Sequence, residues 1–315
     1  MAAGIIAGIT WAIASYLLTL ATGLEFFDGK SLIIVTLVGT FIHDASSAIW
    51  ATAYNGVRGN LKNVWNALFK TKSGKWVVVA AVIGGPIGMT GYVMALTYMG
   101  ASIGAVASAV FPAIGAVLAR IFLKEKMKWH QWAFLALTLA GVYGLSYSPD
   151  LDIKNFWLGI LGAAMCAVGW GVEAVVLAKC LKDPEVKDEY ALQIRQTTSA
   201  ITYAAVILPA IGGWKFTASL FTPDTKWLIP TIVIAGLFAT VSYLFYYRAI
   251  SRIGASKAMA LNVTYCAWIA VIPFVLVIFG GEMPAFSLIQ LICTVVVLVC
   301  GIFAAADFKE ILKKN

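Results

Sequence analysis

Ten apolar stretches, each near the length that crosses a bilayer, take up almost the whole chain and constrain its fold more than any motif does. They run roughly over 3–22, 31–53, 76–99, 101–123, 129–147, 157–179, 190–212, 227–249, 255–279 and 285–306. A hydrocarbon core of about 30 Å is crossed by about 20 residues of α-helix. Inside lipid the backbone has no water to bond to, so long apolar runs without strand alternation must close their hydrogen bonds as helices. Hydrophobic residues are 61% of the 315 and charged residues 12%, against about 25% charged in a soluble domain. The expected fold is an all-α membrane protein of ten transmembrane helices. The longest connections, 54–75, 182–189 and 212–226, are too short for a separate core.

The net charge of +8 follows from the loops. With a cytoplasmic N-terminus, the loops on the cytoplasmic side hold most of the Lys and Arg, and the opposite loops hold only Lys30, Lys154, Lys215 and Lys226. The positive-inside rule then places both termini in the cytoplasm, and no nucleic-acid partner is needed to explain the charge. The five cysteines have no CxxC spacing and read as small packing residues. The first apolar stretch is long for a cleavable signal and has no basic segment before it, so it is expected to stay as a helix.

The chain repeats itself. Ala95–Ser108 reads ALTYMGASIGAVAS and Ala249–Asn262 reads AISRIGASKAMALN, with Gly100-Ala101-Ser102 over Gly254-Ala255-Ser256. Lys124-Glu125-Lys126-Met127 corresponds to Gly281-Glu282-Met283, and Trp11 to Trp170. This divides the chain into residues 1–148 and 149–315, five spans each. Because five is odd, the second copy must enter the membrane in the opposite sense, giving an inverted repeat with its substrate site near the midplane between the halves.

These features resemble the drug/metabolite transporter superfamily. Within it, His43-Asp44, Gly85-Pro86-Ile87-Gly88-Met89, Gly169-Trp170-Gly171-Val172-Glu173, Ile194-Arg195-Gln196-Thr197-Thr198-Ser199, and the run from Ser242-Tyr243 through Asn262-Val263-Thr264-Tyr265 to Trp268 are similar to the LicB-type choline permeases of bacteria. The resemblance implies that the first, third and fourth helices of each half line a central cavity. It also implies a bacterial inner-membrane transporter of a small cation.

Ionisable residues inside a span cost about 2.5–3.5 kcal/mol on insertion scales and ask for a reason. Glu173 lies three residues after Trp170, on the same helical face. A carboxylate beside an indole suits a quaternary ammonium, which has no N–H to donate and is held by aromatic faces. The alternative is that Glu173 pairs with Arg195 as structural glue. His43 and Asp44 are either a proton relay or charge partner for substrate, or a buried cluster holding helices together. Successive residues project about 100° apart, so one is expected to face the cavity and the other a neighbouring helix. Arg195-Gln196 holds the matching place in the second half, with Arg195 expected to neutralise Asp44 or Glu173.

Tyr243, Tyr246 and Tyr247 form one stripe, of which two are expected to face the cavity. Tyr265 and Trp268 share a face with Asn262 one turn earlier. Trp11 and Tyr92 are the candidates in the first half. The alternative for all of these aromatics is packing against lipid or neighbouring helices.

The sequence therefore points to a secondary transporter that imports choline or a related quaternary amine by alternating access, with or without proton coupling. It is expected to act as a monomer, with a homodimer as the other state, in contact with membrane lipid and without a cofactor or metal. No Walker motif is present to supply ATP-driven transport. The rival readings are an exporter of amino acids or cationic drugs, an intramembrane enzyme acting on choline lipids, and a membrane sensor. The enzyme reading lacks HExxH, GxSxG or paired catalytic aspartates. The sensor reading lacks an extramembrane module.

Overall fold

The structure is a computed structural model that describes residues 1–22, 27, 29–147, 153–284 and 286–306. The described residues are helical, joined by short turns. In the first half α1 is Ala2–Thr22, α2 Leu32–Val57, α3 Leu61–Lys70, α4 Lys72–Val82, α5 Gly88–Ser108, α6 Phe111–Phe122 and α7 Trp129–Ser146. In the second, α8 is Phe156–Cys180, α9 Asp188–Thr202, α10 Leu208–Ala210, α11 Gly213–Ser219, α12 Leu228–Ile253, α13 Ala255–Asn262, α14 Tyr265–Val277 and α15 Leu288–Ala305.

Each of the ten apolar stretches coincides with helix, but not each with an unbroken span. Seven helical segments among the described residues are long and apolar enough to cross a membrane, and eight if the bent pair 188–210 and 213–219, turned by 104°, counts as one. α6 is a shorter apolar helix. The first turn of α7, Trp129-His130-Gln131, is polar. The 54–75 connection is corrected: α2 continues to Val57, and α3 forms a separate helix over Leu61–Lys70.

Two kinds of break interrupt the helices. The first is the wide π turn. One runs over Ile83–Ile87, between α4 and α5, and contains Pro86. The other runs over Tyr203–Ile207 and ends two residues before Pro209. A proline cannot donate to the preceding turn and crowds its carbonyl, and a π turn makes room for the ring. The second kind falls at the repeated Gly-Ala-Ser sequence. Gly100 has φ 78 and ψ 160, and Gly254 has φ 89 and ψ 164. That region of backbone space is open essentially to glycine alone. The helix following Gly254 is capped from the other half: Ala255 N and Ser256 N donate to Glu125 Oε1 and Oε2 at 2.8 and 3.0 Å, and Ser256 Oγ donates at 2.7 Å.

Packing follows the same pairing in both directions. α1 lies against α12, α13 and α14, and α8 against α5 and α6. α2 meets α9, and α7 meets α15. Small residues allow the close approaches: a Cβ on Gly91 would strike the backbone at Gly162, and the reverse holds. The residues left at the surface are large and apolar on many helices, including Ile49, Ile121, Phe122, Ile201, Leu288 and Ile289. In a chain of this hydropathy that surface is the lipid face.

Candidate functional site

A cavity of about 100 Å³ lies where α1, α2, the Ile83–Ile87 turn, α8, α9, α12 and α14 converge. Its construction begins at Pro86. The π turn around this proline removes carbonyls from ordinary helix bonding, and Trp170 Nε1 donates to Gly84 O at 3.0 Å. Gly84 must lack a side chain, since a Cβ there would overlap the Glu173 carboxylate. Gly85 similarly faces Ser199 of α9. The wide turn thus brings α8 and α9 together at the level where the chain's intramembrane charges sit.

Those charges form one connected group. Arg195 Nε donates to Glu173 Oε1 at 2.8 Å, and its Nη1 lies 3.6 Å from Asp44 Oδ2 and donates to Gln196 Oε1 at 2.7 Å. Ser199 Oγ donates to Asp44 Oδ2 at 2.6 Å. His43 Nδ1 lies 3.0 Å from Asp44 Oδ1 and donates to it when the proton is on that nitrogen. His43, Asp44, Glu173, Arg195 and Gln196 are all buried. Removing one partner from such a group strands the others, which is why buried charges persist only in sets. Two carboxylates face one guanidinium, so the group carries one negative charge in excess when both carboxylates are ionised and His43 is neutral.

The aromatic wall stands beside it. Trp11 meets Tyr243 edge-on with centroids 5.2 Å apart, His43 at 6.1 Å and Tyr265 at 6.5 Å. Trp170 is flanked by Phe111 at 5.4 Å and Tyr92 at 5.8 Å. The Arg195 guanidinium lies over the Tyr243 ring, 4.6 Å from its centroid. One aromatic face in the cavity therefore already holds a cation, and that cation is part of the protein.

Most of the residues singled out in the sequence come together here. Trp11, His43, Asp44, Trp170, Glu173, Arg195, Tyr243, Tyr246, Tyr247, Asn262 and Tyr265 line the cavity. All three tyrosines of the stripe do so, where two were expected. His43 and Asp44 both face it as well, because the imidazole folds onto its neighbour's carboxylate. Tyr92 stands behind Trp170 rather than in the lining. Gln196 supports Arg195 from outside the lining. Trp268 is half-buried on α14 and does not line the cavity.

Met89 and Phe111 line it without having been singled out. The signal was in the repeat: Phe111 follows Gly100 by the same number of residues as Tyr265 follows Gly254, and Met89 precedes it as Tyr243 does. Tyr247 is fully buried, and its hydroxyl has no hydrogen-bond partner among the described residues. An unsatisfied buried hydroxyl costs about 1–3 kcal/mol.

The fold is that of a multi-pass helical membrane protein enclosing a charged, aromatic-walled chamber. Residues 1–147 match the model of the EamA-like transporter family, which bears out the resemblance to the drug/metabolite transporter superfamily. The chain is 28% identical to Protein LicB of Haemophilus influenzae over 192 residues. That alignment spans 60% of this chain and 63% of that protein, less than two thirds of its length. A solved crystal structure superposes with a TM-score of 0.68 at 18% identity, over 99% of this chain and 98% of that one. It bears on the fold alone.

Proposed function

We propose that the protein imports choline or a close quaternary amine across the bacterial inner membrane by alternating access, as a monomer with both termini in the cytoplasm. The observation that carries this reading is the composition of the chamber: Trp11, Trp170, Tyr243 and Tyr265 stand around two carboxylates that share one arginine. A methylated nitrogen cannot satisfy a chamber rich in hydrogen-bond acceptors, but it is held by ring faces and by unbalanced negative charge. Glu173 supplies that charge, and the free Tyr247 hydroxyl and Asn262 receive the alcohol. The inside-negative potential favours entry by about 2.3 kcal/mol per charge per 100 mV.

Arg195 sets the order of events. It occupies the face of Tyr243 and one oxygen of Glu173, so the arriving cation must take over part of its place. The matched glycine breaks and the reciprocal packing of α1 and α8 support two inverted halves of five spans, 1–148 and 149–315, that rock about the chamber. His43 and Asp44 offer a site for a coupling proton.

A second reading draws on Arg195 itself. A guanidinium in the lining could hold the carboxylate of an amino acid while Glu173 and Asp44 hold its ammonium, which describes an exporter on the same scaffold.

Proteoliposomes loaded with buffer and given labelled choline separate these readings. Saturable uptake driven by an inside-negative potential, not competed by amino acids, is the expected result. Dependence on an imposed pH gradient decides between symport and uniport. Glu173→Gln and Trp170→Ala are each expected to weaken choline binding at least tenfold while the protein still purifies as a folded species. Wild-type affinity in both variants, or tight binding of an amino acid without choline binding, ends the choline reading.

A further inference from the structure

The segment between α2 and α4 carries a feature that transport does not use. The helix α3 has three faces. Val64 and Ala67 are buried against the bundle. Leu61, Trp65 and Phe69, spaced at four residues, are 46%, 63% and 50% exposed, and the two rings lie 4.2 Å apart. Lys62 and Lys70 stand on the remaining face, both exposed. Lys72, Lys75 and the exposed Trp76 continue the same pattern into the start of α4. From residue 45 to residue 124 the chain has no Asp or Glu, so nothing acidic in this stretch balances these lysines.

The helix is also fixed in place. Thr71 accepts from Gly74 N at 2.8 Å and its hydroxyl donates to Ala67 O at 2.7 Å, making a tight corner into α4. Asn63 Nδ2 donates to Tyr190 Oη at 3.3 Å, which ties α3 to α9. A ten-residue helix held at the end of the bundle, with aromatic side chains on one exposed face and lysines on the next, has the form of a helix lying in the membrane interface.

We infer that α3 and the start of α4 form a docking surface for anionic phospholipid headgroups, with Trp65 and Phe69 set among the acyl chains of the same leaflet. The charge selects the lipid: Lys62, Lys70, Lys72 and Lys75, with no Asp or Glu on their own segment and outnumbering Asp188 and Glu189 at the start of the adjoining α9, favour phosphatidylglycerol over a zwitterionic lipid. Tryptophan at a helix edge is at home at that depth. The inference stands apart from the cargo of the chamber and survives if choline is the wrong substrate.

Quenching by brominated lipid tests it on the full chain in vesicles. The emission of Trp65 is obtained as the difference between wild type and Trp65→Phe, which removes the other ten tryptophans of the 11. In phosphatidylcholine vesicles containing a fixed fraction of brominated lipid, Trp65 is expected to be quenched at least twice as strongly by brominated phosphatidylglycerol as by brominated phosphatidylcholine. Replacing Lys62, Lys70, Lys72 and Lys75 with Gln is expected to bring the two values together without lowering the melting midpoint. Equal quenching by the two lipids in wild type overturns the proposal. So does quenching by neither, which would mean that the face looks into water or onto a protein.

Discussion

Trp11 of α1, Trp170 of α8, and Phe111 and Tyr265, each eleven residues beyond the breaks at Gly100 and Gly254, all line the cavity. The charges at matching places differ. Three residues after Trp170 stands Glu173, and three after Trp11 stands Ala14. His43-Asp44 in α2 corresponds to Arg195-Gln196 in α9, an acid on one side and a base on the other. Rings from residues 1–148 and from residues 149–315 shape the chamber together, while its charges are unevenly placed between the two segments. Flat rings at equivalent positions make a closed box, while carboxylates on α2 and α8 share a single guanidinium on α9. A symmetric charge set would have balanced itself or doubled. This division leaves one negative charge over when both carboxylates are ionised and His43 is neutral.

The largest expected effect comes from breaking that division at its centre. Arg195→Ala strands Glu173 and Asp44 together in a buried site, a loss of about 3–5 kcal/mol for a pair broken on one side. His43→Ala, on the opposite half, removes one hydrogen bond to Asp44 and is expected to cost about 1 kcal/mol. Melting midpoints of the two variants in the same detergent provide the comparison. Equal losses would show that the halves share the electrostatic burden evenly, against what the geometry requires.

Next in size are the two glycine breaks. Gly100→Ala and Gly254→Ala both force a side chain into a backbone region reserved for glycine, at about 1–3 kcal/mol each. At Gly254 the new Cβ also meets the Glu125 carboxylate that caps α13, so this variant is expected to lose more. In a Glu125→Ala background the excess should disappear, and measured stabilities should then agree for the two positions. A Gly254 penalty that persists without Glu125 would mean that the cap is not what distinguishes the breaks.

Much of this was open to reading in the chain. Long apolar runs announce their helices because lipid permits nothing else, and the Gly-Ala-Ser that was read as a repeat falls at both breaks. Trp170 and Glu173 were found because three residues on a helix share a face. Other features depend on geometry that no local pattern encodes. Pro86 signals a disturbed helix, but not that the disturbance is a π turn offering Gly84 O to Trp170. Arg195 was expected to pair with an acid, yet its seat over Tyr243 depends on how α9 and α12 cross. Trp268 shares a helical face with Tyr265, but the cavity ends before reaching it, and spacing alone does not say where a cavity stops. α3 was hidden inside what read as a loop because a ten-residue amphipathic helix is too short and too basic to look like a span.

The smallest expected effect on binding comes from placing a tyrosine at both Phe111 and Tyr265. Phe111→Tyr gives the first half the residue that the second half carries at Tyr265. Phe111 is buried and meets Trp170 at 88°, so the ring must keep its place and only a hydroxyl is added. If the box works through ring faces, choline affinity should change by less than about threefold, since a tyrosine face attracts a cation about as well as a phenylalanine face. Stability should fall by no more than about 1–3 kcal/mol, the cost of a buried hydroxyl left without a partner. Equilibrium binding of choline to the purified variant, read beside its melting midpoint, checks both numbers. A large loss of affinity with unchanged stability would mean that the two halves of the box are not interchangeable even in shape. Recognition would then rest on the polar groups of α8, α9 and α12 rather than on the shared aromatic frame.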